Sequence, residues 1–130
     1  MGFSITHSPI EPPSAPPSEL SGAVVTFEGR VRVKNAGRRV LRLDYTAYET
    51  LAVKEGELIV REAMALHGLS SVTIIHRVGT LHIGDMAVLI RVESSQRAAA
   101  FDGCRWVLDQ LKERVPIWKR EHYDDGAEWL

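Results

Sequence analysis

Residues 97–123, RAAAFDGCRWVLDQLKERVPIWKREHY, predict a helix and a strand that are separated by one proline. The helix is amphipathic, because its apolar residues recur at steps of three and four. They are Phe101, Cys104, Leu108, Leu111 and Val115. Pro116 stops the helix, since proline lacks a backbone N–H and clashes with the preceding turn. Residues 117–123 then predict the last strand, and Ser94 or Ser95 is the expected N-terminal cap of the helix.

Before this unit, the sequence predicts two strands and another helix. Residues 72–78 and 86–92 are rich in apolar and β-branched side chains, and a Gly-Asp turn lies between them. Upstream, Thr50 can cap a helix that runs to about His67, and Gly68 is typical of a helix C-terminus. The apolar residues of this helix again follow helical spacing: Leu51, Leu58, Ile59, Ala63 and Leu66.

Residues 22–33 and 38–48 alternate between apolar and polar side chains, which is typical of strands with one buried face. In the first segment the apolar side is formed by Ala23, Val25, Phe27, Val31 and Val33. In the second it is formed by Leu41, Leu43, Tyr45 and Ala47. Residues 35–37, Asn-Ala-Gly, indicate a turn between the two segments. We therefore predict that they form an antiparallel hairpin.

The order of the elements is strands, helix, strands, helix, strand. It predicts an α+β fold of one domain, with a mostly antiparallel sheet and two main helices. Five of the six prolines lie in residues 9–17, which we expect to form an extended connector after a short edge strand at residues 3–7. The N-terminal strand and the Pro/Ser-rich connector are therefore assigned to residues 1–20, and the folded domain to residues 21–130.

The composition excludes several classes of function. The 130 residues include 16 Lys or Arg and 17 Asp or Glu, and a net charge of −1 argues against a protein that coats nucleic acid. No apolar stretch approaches the roughly 20 residues needed to cross a bilayer. The single cysteine, Cys104, excludes an internal disulfide and suits a reducing compartment. We expect a cytoplasmic protein with no nucleic-acid or membrane partner.

The sequence contains neither a phosphate-loop nor a dinucleotide-binding glycine pattern. His76 and His82, with Cys104 or His122, can be imagined around a zinc ion, but their spacing matches no standard site. We interpret the histidines as ordinary strand or surface residues, and Cys104 as a core residue on the apolar stripe of its helix. We predict no metal site and no cofactor.

Positive charge is concentrated in residues 30–42, which contain six Lys or Arg residues. Alternation puts Arg30, Arg32 and Lys34 on one face of a strand. Such a face suits a phosphate or a carboxylate-rich partner, and it is equally consistent with a solvated sheet surface.

Two of the four lysines, Lys112 and Lys119, flank Pro116. The chain reverses at this proline, so the two amines can converge. Amines that converge or are partly buried can act as acids, bases or nucleophiles. From the spacing alone, two exposed lysines on an ordinary helix and strand are the more common arrangement.

Several blocks of the sequence carry a resemblance to a known family. They are residues 22–32 (GAVVTFEGRVR), 76–79 (HRVG) with Gly84 and Asp85, 94–97 (SSQR) with Ala100 and Phe101, Leu111 with Lys112, and 115–121 (VPIWKRE). In this order and spacing, from about residue 21 to residue 129, the chain resembles the large (catalytic) subunit of molybdopterin synthase. The last block is highly specific to that family.

The resemblance implies a hammerhead-like α+β fold and a sulfurtransferase activity. The family converts cyclic pyranopterin monophosphate into molybdopterin, the dithiolene ligand of the molybdenum cofactor. Sulfur arrives on a small ubiquitin-like carrier subunit, as a thiocarboxylate on its C-terminal glycine. The large subunit forms a homodimer with one carrier at each end, which makes a heterotetramer, and it needs no metal or redox cofactor.

The resemblance also implies the residues of the site. Lys119 and Lys112 match the two active-site lysines of the family. Arg32 and Arg97 match arginines of the pocket, where a guanidinium suits the substrate phosphate. Gln96 stands where family members often have histidine, and glutamine can form hydrogen bonds but cannot shuttle a proton near neutral pH.

Two points stay open from the sequence. Glu121 either holds Lys119 or Arg120 in position or is a plain surface carboxylate.

The function also has two alternatives. One is a degenerate relative that binds the carrier with little turnover, which Gln96 and the chain end at Leu130 motivate. The other is a non-catalytic α+β module that binds a phosphate or another small molecule.

Overall fold

Two β-sheets and two helices form the fold in the computed structural model, which describes residues 1–130. In chain order the elements are β1 (Gly2–Thr6), β2 (Ala23–Arg30), β3 (Lys34–Asn35), β4 (Arg38–Ala47), α1 (Glu49–His67), β5 (Ser71–Arg77), β6 (Gly79–His82), β7 (Met86–Ser94), α2 (Arg97–Arg114), β8 (Ile117–Tyr123) and β9 (Gly126–Trp129). Neither helix has the length and apolar character that a membrane span requires. The predicted class, α+β with mostly antiparallel strands and two helices, is confirmed.

The first sheet has the strand order β1-β5-β7-β2. β1 runs parallel to β5, and the other neighbouring strands are antiparallel. Both helices pack on one face of this sheet, where aliphatic side chains of β5 and β7 point inwards. Fully buried members of this core are Ile59, Val72, Ile74, Ile90, Val92 and Val107. Each such side chain contributes about 1.5–3 kcal/mol by leaving water, which makes this core the main source of stability.

The second sheet has the order β3-β4-β8-β9, and β6 pairs with β4 on the side away from β8. Its own small core consists of Val31, Val40, Leu43, Leu81, Ala87 and Tyr123. β6 lies outside the strands predicted from the sequence, and it begins at Gly79 with a φ of 99° that other residues rarely adopt. A bulge in β4 near Val40 and Arg42 buries Val40 and exposes Leu41, so the predicted apolar side of this strand is wrong at its start.

The predicted hairpin between residues 22–33 and 38–48 is wrong. β2 instead pairs along its whole length with β7, and only the two-residue strand β3 pairs with the start of β4. The chain leaves the first sheet after Arg30, and the Val31 side chain is buried in the core of the second sheet. Consecutive strands are neighbours only about two-thirds of the time, so alternation identifies a strand without identifying its partner.

The helix boundaries are close to the predictions, but the caps differ. Tyr48 precedes α1 and Gln96 precedes α2, and neither side chain caps its helix. Thr50 therefore lies inside α1 and is not its cap, and neither predicted serine precedes α2 directly. Gly68 ends α1 in the left-handed conformation, with a φ of 63°, as predicted.

Small residues form much of the packed face of each helix. The buried positions include Ala52, Gly56 and Ala63 of α1 and Ala100, Gly103 and Cys104 of α2. The larger residues Leu51, Leu66 and Phe101, predicted on the apolar stripes, are exposed. Small side chains allow close approach, and the Phe3 ring of β1 fills the space beside Gly56.

Residues 8–20 form no helix or strand, but contacts fix this connector to the outer face of the first sheet. Ile10 is buried there. The Arg91 guanidinium donates a hydrogen bond to the Ala15 carbonyl oxygen at 3.1 Å, and the Ser18 N–H donates to the Glu93 carboxylate at 3.1 Å. The division of the chain at residues 20 and 21 stays a prediction.

Gly56→Ala should destabilise the protein, although alanine is the better helix former by about 1 kcal/mol. The added methyl group would overlap the Phe3 ring, and overpacking of a core costs typically about 1–3 kcal/mol. We expect a lower urea unfolding midpoint. Lys54→Ala, at an exposed position of α1, is the control and should stay within about 0.5 kcal/mol of wild type. A Gly56→Ala midpoint at or above that of wild type would contradict this packing.

Candidate functional site

A cavity of about 220 Å³ lies between the end of α2, the start of β8 and the inner face of the first sheet. Its polar lining comes from Tyr45, His76, Lys112 and Lys119. The remaining lining is apolar: Val88, Leu108, Leu111, Val115, Ile117 and Leu130. Charges act on one another more strongly against apolar walls than in water, because the effective dielectric constant is lower. This lysine cavity is the strongest candidate for a reaction site.

The turn at Pro116 brings Lys112 and Lys119 to the same cavity. Lys112 lies in the last turn of α2 and is exposed, whereas Lys119 lies in β8 and is half-buried. The β8 backbone is held at Lys119, which pairs with Tyr45 of β4 and accepts the Leu130 N–H at its carbonyl oxygen, 2.9 Å away. Two amines from different elements therefore reach one site.

Tyr45 and His76 line the cavity, although neither is among the site residues predicted from the sequence. Their rings meet edge to face, with centroids 5.1 Å apart. Alternation indicates that Tyr45 points inwards from β4, but its contact with His76 depends on how the two sheets come together. The HRVG block that contains His76 is the sequence signal that could have drawn attention to it.

Burial controls the protonation of both rings. It lowers the pKa of His76 below its usual 6.5, so the imidazole is neutral at neutral pH. Burial, together with the nearby Glu121 carboxylate, raises the pKa of Tyr45 to about 12. The His76 Nδ1 lies 2.8 Å from the Arg77 carbonyl oxygen. Since a carbonyl oxygen can only accept a hydrogen bond, Nδ1 carries the proton and Nε2 does not.

Glu121 differs from both sequence hypotheses. It is 5% exposed, so it is not a surface carboxylate, and it forms no ion pair with Lys119 or Arg120. Its carboxylate accepts hydrogen bonds from the Asn35 amide, at 2.8 Å, and from the Tyr123 hydroxyl. Glu121 therefore fastens the β3–β4 turn to β8, a role that no local pattern indicates.

The positive charges of residues 30–42 do not form one free surface. Arg30 pairs with Glu28, and Arg38 pairs with acidic residues near the chain end and stacks 3.7 Å from the centre of the Tyr123 ring. Arg32 is exposed, has no carboxylate partner, and donates a hydrogen bond to the Asn35 side-chain oxygen at 3.4 Å. Arg32 does not line the lysine cavity. Its hydrogen-bond partner Asn35 also donates a hydrogen bond to Glu121, so Asn35 connects Arg32 to β8.

Gln96 and Arg97 are exposed at the start of α2, the end of the helix opposite to Lys112. At about 1.5 Å per residue, Arg97 lies about 22 Å from Lys112 along the helix axis. Within one chain, the structure therefore does not bring these two predicted substrate-binding residues to the lysine cavity.

A second, apolar groove runs between β2 and α2. It is lined by Val25, Thr26, Phe27, Phe101, Cys104, Arg105 and Leu108. β2 is the last strand of its sheet, and the Phe101 side chain is 63% exposed. Cys104 is a buried residue, as predicted, and burial raises the pKa of its thiol. The unpaired edge of β2 and the exposed Phe101 ring therefore lie side by side on this face of the molecule.

No group of three or more His, Cys, Asp or Glu side chains is arranged to bind a metal ion. His76 lines the lysine cavity, whereas the His122 Nε2 lies 2.6 Å from a carboxylate oxygen of Asp44. The four residues that can be imagined around zinc are therefore distributed over separate environments.

Comparisons with known proteins identify what this chain is similar to. The family model described as MoaE protein matches residues 5–114. The molybdopterin synthase catalytic subunit of Pyrococcus abyssi is 42% identical over 113 residues, which are 87% of this chain and 76% of that protein. The protein of the same name from Oryza sativa subsp. indica is 44% identical over 109 residues, which are 84% of this chain and 56% of the longer rice protein.

The solved structures include a close match in fold. The crystal structure of molybdopterin synthase from Staphylococcus aureus has a TM-score of 0.89 and 37% sequence identity, and the match covers 97% of this chain and 94% of that one. The range matched by the family model includes Arg32, Gln96, Arg97 and Lys112, and it ends before Lys119.

Wild type should lose stability at alkaline pH because Tyr45 ionises, and Tyr45→Phe should not show this loss. The pKa of Tyr45 is about 12 in the folded protein and about 10 in an unfolded chain. Tyr45 therefore stabilises the fold fully below pH 10, and this contribution disappears as the pH rises from 10 to 12. We expect the free energy of unfolding of wild type to fall on the order of 2 kcal/mol more than that of Tyr45→Phe over this interval.

Denaturant titrations at a series of pH values measure this difference. Tyr48→Phe is the matched control, because Tyr48 is 61% exposed and should leave the alkaline loss unchanged. Equal losses in wild type and Tyr45→Phe would show that the phenol is not buried as described.

Proposed function

This chain belongs to the MoaE protein family, whose curated relatives are named molybdopterin synthase catalytic subunit, and we propose that its lysine cavity is the site of sulfur transfer. Its activity is that of a sulfurtransferase in molybdenum cofactor biosynthesis. The proposed substrate is cyclic pyranopterin monophosphate. The proposed sulfur donor is a small ubiquitin-like carrier subunit with a thiocarboxylate on its C-terminal glycine.

The convergence of Lys112 and Lys119 on one cavity is the observation that carries this proposal. Transfer of sulfur from an acyl group develops negative charge on oxygen and sulfur. Positioned cationic donors stabilise such charge most effectively where water is excluded. In the proposed mechanism, one amine donates a proton to a leaving oxygen and the other orients the thiocarboxylate.

The size of the cavity supports a site that extends beyond one chain. Its volume of about 220 Å³ is below the range of about 300–1,000 Å³ that is typical of small-molecule sites. A terminal glycine thiocarboxylate can enter such a space, but a fused pterin with a phosphate needs more room. The rest of the substrate would then lie outside the cavity, against a neighbouring surface.

A homodimer can provide that surface. β2 and α2 both run from the Arg97 end of the molecule towards the lysine cavity, and β2 has an unpaired edge. Two copies that pair antiparallel along β2 would therefore bring Gln96 and Arg97 of one chain beside the lysine cavity of the other. The same contact would cover the exposed Phe101 ring.

Arg32, Arg97 and Gln96 are the proposed substrate-binding residues. Arg32 belongs to the chain that supplies the lysines, and its guanidinium is free of carboxylates. Arg97 belongs to the second chain, so the two arginines would hold the phosphate from opposite sides. Gln96 is proposed to donate hydrogen bonds to the substrate rather than to transfer a proton.

Lys119→Ala should abolish product formation and leave the fold, the dimer and carrier binding intact. The strand pairing at residue 119 uses only backbone atoms, whereas loss of a positioned acid or base typically costs about 10²–10⁴-fold in rate. Single-turnover dithiolene formation, circular dichroism, light scattering and a carrier pull-down measure product formation, the fold, the dimer and carrier binding, respectively.

Two further variants refine this test. Lys119→Arg should fail as well, because a guanidinium does not exchange a proton near neutral pH. Lys112→Ala should cause a severe but smaller loss. Near-normal turnover by folded Lys119→Ala would refute catalysis by this residue. Carrier binding without turnover in wild type would indicate a degenerate relative.

We expect Arg97→Ala dimers, like Lys119→Ala dimers, to be inactive, and mixing the two should restore activity if the site is shared between chains. After random exchange of subunits, each mixed dimer contains one site with both residues intact, so activity should return to about a quarter of wild type. Mixing Lys119→Ala with Lys112→Ala is the control and should restore nothing, because both lysines come from one chain. Failure of the first mixture, with exchange verified by mass spectrometry, would contradict the shared site.

A further inference from the structure

His76 presents an unprotonated nitrogen at the lysine cavity. Its Nδ1 is occupied by the hydrogen bond to the Arg77 carbonyl oxygen, at 2.8 Å. Its Nε2 forms no hydrogen bond within the protein, yet the side chain lines the cavity. The edge-to-face contact with Tyr45, 5.1 Å between centroids, fixes the plane of the ring. His76 Nε2 is therefore an oriented proton acceptor, whereas the other polar side chains of the cavity can donate hydrogen bonds.

We propose that His76 is the general base that activates water to release the carrier after each sulfur transfer. This inference rests on the proposed function, because the step arises only when sulfur comes from an acyl thiocarboxylate. Once the sulfur has bonded to a substrate carbon, a thioester joins the carrier to the substrate. That bond must break before the carrier can leave.

The atoms of this step balance with water as the only co-reactant. Water adds to the thioester carbonyl carbon, and His76 Nε2 accepts one of its protons. The carbon–sulfur bond then breaks, its electron pair stays on sulfur, and the imidazolium returns the proton to that thiolate. The water oxygen remains on the carrier as a carboxyl group, whose proton is released to solvent.

The groups around His76 suit a base. Tyr45 faces it from β4, Lys112 from α2 and Lys119 from β8, while β7 contributes the apolar Val88. None of these four groups is a carboxylate, so none pairs with an imidazolium, and burial keeps the pKa of His76 below its usual value. The lysine amines can meanwhile stabilise the oxyanion and the leaving thiolate. Proton acceptance and anion stabilisation thus belong to different side chains.

The test follows the carrier–substrate adduct by intact-protein mass spectrometry after acid quenching. Wild type and variants are mixed with thiocarboxylated carrier and the cyclic precursor in a single turnover. We expect His76→Gln to accumulate the adduct and to release carrier about 10²–10⁴-fold more slowly. In wild type the release rate should fall in acid, at a pH below the usual imidazole pKa of about 6.5, because burial lowers the pKa of His76, and in His76→Gln this dependence should disappear.

Three controls separate a base from a packing residue. His82→Gln, at an exposed position of β6, should release carrier like wild type. His76→Phe keeps an aromatic ring against Tyr45 and should be as slow as His76→Gln. Added imidazole should restore release in His76→Ala, which leaves space for it. Circular dichroism verifies that each variant is folded.

The outcomes distinguish this inference from the proposed function. Release at the wild-type rate by His76→Gln or His76→Phe would overturn the role of His76 and leave sulfur transfer intact. Failure of imidazole to accelerate folded His76→Ala would also overturn it. Absence of both adduct and product with wild type would overturn the proposed function, and this inference with it.

Discussion

The reversal of the chain at Pro116 is the constraint on which the site depends. Proline cannot continue α2, and within three residues of the end of that helix the chain has entered β8. The Pro116 carbonyl oxygen accepts the Tyr48 N–H at 3.1 Å, which ties the turn to the start of α1. Because the turn is short and anchored, Lys112 in the last helical turn and Lys119 near the start of the strand are held at one cavity.

Burial then divides the polar groups of this cavity into two kinds. The lysines come from the rim, where one amine is exposed and the other half-buried. Tyr45 and His76 are half-buried, and burial disfavours the charged form of each ring. A neutral imidazole can accept a proton, and the two amines beside it can stabilise an anion. Acyl transfer uses both functions, and this cavity holds both.

The length of α2 is the reason for proposing that two chains share the site. The helix separates Gln96 and Arg97 from the lysines by about 22 Å, so the two groups of residues belong to opposite ends of the molecule. A two-fold axis beside β2 would join the start of one helix to the end of the other. Each chain would then contribute lysines to one site and an arginine to the second, and a protein of 130 residues could surround a substrate larger than its own cavity.

The sequence by itself determined the class of the fold and the extents of α2 and β8, because each depends on local periodicity and one proline. It allowed Lys112 and Lys119 to converge, but spacing alone favoured two exposed lysines, and the tertiary structure brought both to one cavity. The pairing of β2 with β7, the strand β6 and the burial of Glu121 were decided by tertiary structure. So was the meeting of Tyr45 with His76. These features join segments that are far apart in the chain, and local patterning carries no information about which inward faces meet.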